Sequence, residues 1–145
     1  MNADDVLIIR NIVNKNPYLK EKFFYYLDVF MDIKVSEIEA EIFQNVSLCS
    51  ILMPLAGTVS HFIINDNEDR CSLLKKVFQV IEEEVSKINE TSIEDDFEIC
   101  FFESLLNSLA NESEEHIKEL SKLLGPKSRE LCIRNDEFWG TKLIR

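Results

Sequence analysis

Apolar residues recur along this chain at three- and four-residue spacings, and no segment shows the period-two alternation of a half-buried strand, so the pattern predicts helices from end to end. The densest stretch is Thr91 to Leu109. Its Phe97, Ile99, Cys100, Phe101, Phe102, Leu105, Leu106 and Leu109 cover more than half of a helix circumference at 100° per residue. A segment apolar on that many sides belongs inside, so a central helix is expected near residues 92–110. Thr91 and Glu94 have the spacing of a capping box, and Glu94, Asp95 and Asp96 fall where the helix dipole favours negative charge.

The other elements follow in order. Asp4 or Asp5 caps a short first helix with Val6, Ile9, Ile12 and Val13 on one stripe. Asn16-Pro17 starts a second helix that runs to about Asp32 and presents Leu19, Phe23, Leu27, Phe30 and Met31 to a core, with Tyr25 outside. Ser36 to Phe43 reads as a short amphipathic helix through Ile38, Ile42 and Phe43. Because proline breaks a helix interior, the next helix is expected to begin at or just before Pro54 and to end near Asn65, with Gly57 inside it allowing close packing. Asn67 caps a long helix whose face is Leu73, Leu74, Val77, Phe78, Ile81, Val85 and Ile88. After the central helix, Asn111 or Ser113 starts a helix ending at Gly125, and Pro126 opens a last one that reaches about Trp139, buries Leu131, Cys132 and Phe138, and leaves residues 141–145 as a frayed tail.

These elements make an all-α domain of about seven helices around the central one, either an irregular bundle or a short HEAT-like stack. The length of 145 residues fits one domain, with N-terminal helices over 1–50 and a core over 52–140. Charge is unevenly placed. Residues 66–119 hold 16 acidic and 5 basic side chains, whereas residues 120–145 hold 3 acidic and 6 basic. A net charge of −11 concentrated in the middle of the chain opposes binding to phosphate backbones or anionic lipid and suits a basic protein partner. Cys49, Cys71, Cys100 and Cys132 form no CxxC or Cys/His cluster and read as reduced core residues of a cytoplasmic protein. No run approaches the roughly 18 apolar residues of a membrane span, and the N-terminus lacks a secretory pattern.

Candidate chemistry is sparse. His61 lies among Val59, Phe62 and Ile63 and reads as a core-edge histidine, while His116 follows three glutamates and reads as a solvated one. Asp66-Asn67-Glu68-Asp69 lacks the glycine and distant glutamate of a calcium loop, and phosphate-loop and hydrolase motifs are absent, so no catalytic residue, cofactor or metal site is expected. Glu103, between Phe102 and Leu106, should have a structural partner such as an arginine or a helix end. Lys127, Arg129 and Arg134 are too few against −11 to make a DNA-reading helix.

FFESLLN at 101–107, LLGPKSRELC at 123–132 and EFWG at 137–140 together resemble an uncharacterised family of small, acidic, helical bacterial proteins, over roughly residues 52–140. In size, charge and helical character the chain also resembles immunity proteins of contact-dependent inhibition and other polymorphic toxin systems. That resemblance implies a protein that occludes a cationic toxin domain such as a nuclease. Glu82, Glu83, Glu90, Glu94, Asp95, Glu112, Glu114 and Glu115 are then the expected partner contacts. A helical adaptor with an unrelated partner is the alternative, and a small enzyme a third reading.

Overall fold

The computed structural model describes residues 1–65 and 68–144, and among these every regular element is helical. Seven helical rods are present. They are α1 (Ala3–Val13), α2 (Pro17–Met31), α3 (Leu48–Ile64), α4 (Glu68–Ser86), a continuous rod, α7 (Glu114–Leu123) and α8 (Pro126–Trp139). The continuous rod consists of α5 (Thr91–Asp96), a π-helical turn (Phe97–Phe102) and α6 (Glu103–Glu112). The expected Asn67 cap, and Asp66 and Asn67 of the ligand pattern over Asp66 to Asp69, lie outside the described residues.

Local chemistry fixes most of the ends, in places through residues other than those expected. Asn2, rather than Asp4 or Asp5, caps α1: its side chain accepts from the Asp5 amide while the Asp5 carboxylate accepts from the Asn2 amide. Asn16 caps α2 by accepting from Tyr18 and Leu19 ahead of Pro17, and Ser113 caps α7. Thr91 is already helical, so its capping box with Glu94 does not form; Glu90 occupies the cap position without a side-chain bond, and Glu94 is engaged elsewhere.

Three further expectations are corrected. Helix α3 begins at Leu48, capped by Ser47, and passes through Pro54. An interior proline costs about 3 kcal/mol through its missing amide and ring clash. Eight apolar residues of α3 are buried, and full burial of one Val, Leu, Ile or Phe side chain is worth roughly 1.5–3 kcal/mol, so burial outweighs the defect several times over. Thr58 Oγ1 donates to the Pro54 carbonyl at 2.9 Å. Residues 36–43 form no helix, since the buried pair Ile38 and Phe43 is five residues apart, off any single helical face. Their backbone is held from afar: Arg10 donates twice to the Ile38 carbonyl, at 3.0 and 2.8 Å, and the Met1 amine donates to the carbonyls of Phe43 and Val46. Over residues 141–144 the tail is anchored rather than frayed, because Asp136 accepts from the Thr141 hydroxyl at 2.6 Å and from the Ile144 amide at 2.8 Å.

The rod shares the centre with α3. The π turn and α6 pack on α3, which also carries α2; α8 covers the π turn and α4, and α1 packs on α4 and α2. Pairings so distant in sequence make a bundle, not a stack in which each helix meets only its neighbours. In the rod, Phe97, Glu98, Cys100, Phe101 and Phe102 are all buried, five of six successive residues, while Ile99 points out. Phe30, Met31 and Phe138, expected inside, are exposed, Phe138 at 77%.

Candidate functional site: a charged seam and an acidic rim

Two amides at the start of α8 point at one carboxylate. The Gly125-Pro126 corner leaves the first amides of the helix without intrahelical acceptors, and Glu82 of α4 takes those of Lys127 and Ser128. Gly125 has an ordinary φ of −76°, so its role is steric: a Cβ there would overlap the Glu82 side chain. About two turns along α8, Arg134 binds Glu98 and Glu94, the latter at 2.9 Å, and approaches Asp95 at 3.4 Å. Lys127 bridges Glu94 at 3.1 Å and Glu130 at 3.2 Å. Burial pushes the Glu94 carboxyl up, but hydrogen bonds and charge from Arg134 and Lys127 win and hold it below its ordinary value. The same contacts raise Lys127, through Glu94 first, and Arg134, through Glu98 first.

Of the eight expected contact residues, the structure therefore commits Glu82 and Glu94 to internal duties. Asp95 is exposed but reaches Arg134, and Glu115 is exposed and paired with Lys118 at 3.2 Å. Glu83, Glu90, Glu112 and Glu114 stand in solvent with no side-chain hydrogen bond or ion pair among the described residues. Glu114 and Glu115 border a cleft of about 920 Å³ that is also lined by Lys118, Lys122, Arg129 and Lys142, so this side of the rim is mixed in sign.

The two histidines sit in different surroundings. His61 lies edge-on to Tyr26 and Phe62, with its Nδ1 3.1 Å from the Asn65 amide nitrogen. His116 Nδ1 is 3.9 Å from Glu119, beyond hydrogen-bond range. Glu103 has the structural partner expected of it, but that partner is the Trp139 indole N–H instead of an arginine or helix end.

The cysteines depart from the expectation that all four are reduced. Cys49, in the first turn of α3, and Cys100, in the π turn, are disulfide-bonded across 5.3 Å between Cα atoms. Cys71 is free and exposed; Cys132 is free and buried, and burial, then the charge of Asp136, pushes its thiol well up. Asp96 lies beside the bonded pair. Its carboxyl is raised by burial and then by the charges of Asp5 and Asp95. Asp5 Oδ1 is itself buried with no hydrogen-bond partner. Nothing in the sequence marked this grouping, since the two cysteines are 51 residues apart and four cysteines allow three pairings.

The geometry is that of a helical bundle with a cross-braced interior and exposed carboxylates outside it. The chain belongs to the family described as Domain of unknown function (DUF7674), whose profile matches residues 23–140, from within α2 to the glycine that ends α8. No curated protein and no solved structure gives a significant match.

Proposed function

We infer that this protein is a non-enzymatic binding protein that neutralises a cationic toxin domain in the cytoplasm, a nuclease in the simplest case, by covering its active or substrate-binding site. The observation that carries this reading is the set Glu83, Glu90, Glu112 and Glu114, exposed carboxylates left without internal partners. Asp95 and Glu115 join them, because each is exposed and held by only one cation. Such charges gain little for the folded chain, since exposed pairs are worth under about 1 kcal/mol, but they steer a basic partner from a distance. Phe138 and Trp139, 77% and 61% exposed, supply aromatic anchors of the type that dominates binding energy once approach is complete.

The adaptor reading draws on a different surface. Tyr18, Tyr25, Val29, Phe30 and Met31 are exposed along α2, a face that suits an apolar partner. Co-expression with candidate toxin domains, followed by binding kinetics at rising salt, separates the two. Neutralisation predicts rescue of growth and an association rate that falls steeply with salt while dissociation changes little. Association indifferent to salt, and abolished by Phe30→Ser, supports the adaptor; no rescue by any basic toxin domain discards neutralisation.

A further inference from the structure

Cys49, Asp96 and Cys100 come from two separate elements, and their ligand atoms all lie within 4.8 Å of one another. Two sulfurs and one carboxylate are a zinc-type donor set, with Zn–S bonds of about 2.3 Å and Zn–O bonds of about 2.1 Å. Cys49 sits at the second position of α3, where the helix dipole favours a thiolate. Cys100 is carried on a π turn, an irregularity frequent at functional sites. A second observation points the same way. Asp5 Oδ1 is buried without a hydrogen-bond partner, and Asp5 is close enough to Asp96 for the two charges to interact. The other Asp5 oxygen accepts from the Asn2 amide, so one carboxylate oxygen is left uncompensated, and a cation would compensate it, because a buried charge is kept only when something offsets it. Asp96 and Cys49 are half-buried, which leaves an ion a way in.

We propose that the reduced chain binds one zinc ion through Cys49, Asp96 and Cys100, with a water as fourth ligand and Asp5 as additional charge, and that the disulfide and the metal are alternative occupants of this site. Conversion balances with a small-molecule thiol–disulfide couple as co-reactant. The two zinc-bound thiolates give two electrons to the small disulfide, form the Cys49–Cys100 bond, and release Zn²⁺ and two small thiolates. Small thiols reverse the step: they reduce the protein disulfide and leave as their own disulfide, and the freed thiolates take the metal.

The test uses the full chain with cobalt(II) and zinc as probes. After reduction and removal of the reductant, one Co²⁺ per chain should bind with a near-ultraviolet thiolate-to-cobalt charge-transfer band, and Zn²⁺ should displace it. Bound zinc should protect Cys49 and Cys100, but not Cys71, from alkylation mapped by peptide mass. A small-molecule disulfide added to the loaded chain should release the zinc to a chromophoric chelator. Cys49→Ser and Asp96→Asn, each shown folded by circular dichroism, should weaken zinc binding by about tenfold or more, and Asp4→Asn should leave it unchanged. The proposal is overturned if the reduced chain shows no charge-transfer band. It is equally overturned if the oxidised chain binds zinc as well, if protection falls on other cysteines, or if Asp96→Asn keeps full affinity.

Discussion

Glu82 and Glu83 are neighbours in the chain and opposites in the molecule. Glu82 closes the start of α8 and sets the size of the corner residue opposite it, while Glu83 stands in solvent. The same division separates the seam of Glu82, Glu94 and Glu98 from the rim of Glu83, Glu90, Glu112 and Glu114. Both belong to one acidic stretch of sequence, yet the rim carboxylates keep their charge uncompensated and those of the seam do not. Net charge therefore overstates the acidity left on the surface, because part of it braces α8.

Substitutions in the seam should destabilise the protein, and substitutions in the rim should leave its stability nearly unchanged. The largest effect is expected from Arg134→Met, which leaves Glu98, only 9% exposed, without its cation. Breaking a fully buried pair costs about 3–5 kcal/mol; the Arg134 side chain is 41% exposed, so a loss of roughly 2–3 kcal/mol in urea unfolding is expected, and a loss below about 0.5 kcal/mol would make the seam ornamental. Gly125→Ala comes next, at about 1–3 kcal/mol from overlap with Glu82. Most of that loss should vanish in a Glu82→Ala background, and strict additivity of the two changes would refute the steric account. Gly57 sharpens the contrast: a Cβ there meets nothing within 4 Å, so the close packing expected of this glycine is not its role, and Gly57→Ala should raise stability by about 0.5–1 kcal/mol.

Acid should find the seam as well. The folded-state pKa of Glu94 is held below its ordinary value of 4.5, so its contribution is fully present above 4.5 and is lost as the pH falls through the lowered value. Stability measured against pH should drop in that window, and Arg134→Met should flatten the drop; an unchanged slope would mean that Glu94 gains nothing from its cations. The smallest effect on folding is expected in the rim, where Glu112→Lys with Glu114→Lys should stay within about 0.5 kcal/mol of wild type and, if this face docks, slow association with the basic partner.

Periodicity and end signals reached the sequence because they are local: the faces of α1 and α4, the caps at Asn16 and Ser113, and the proline opening α8 rest on residues within one or two turns. What escaped depends on distant groups. Nothing near Ser36 announces that Arg10 will satisfy the Ile38 carbonyl, and nothing near Pro54 reveals how much apolar surface α3 buries on either side of it. Phe30 and Phe138 lie on or near apolar stripes that run past the edge of the core. For the candidate site, the exposed members of the acidic set were legible from composition. The diversion of Glu82 and Glu94 needed α8 in place, and the meeting of Cys49 with Cys100 needed α3 laid against the rod.

The π turn at Phe97–Phe102 has a consequence for how this chain tolerates changes in length. A π turn amounts to one surplus residue within an α-helical path. Deleting one residue there would let the rod run on as uninterrupted α-helix with its second half still in phase, because the wide turn already absorbs the 100° that an extra residue adds. Leu105, Leu106 and Leu109 would stay turned inward, and Glu103 would keep its place beside Trp139. A residue lost within the regular α-helical turns of the rod has no such slack, and everything downstream of it would swing by about 100°. In the turns over residues 40–45 a lost or added residue would be absorbed where it occurred. The wide turn thus acts as a length reserve, so that the middle of the rod can give up a residue that the regular helix on either side of it cannot.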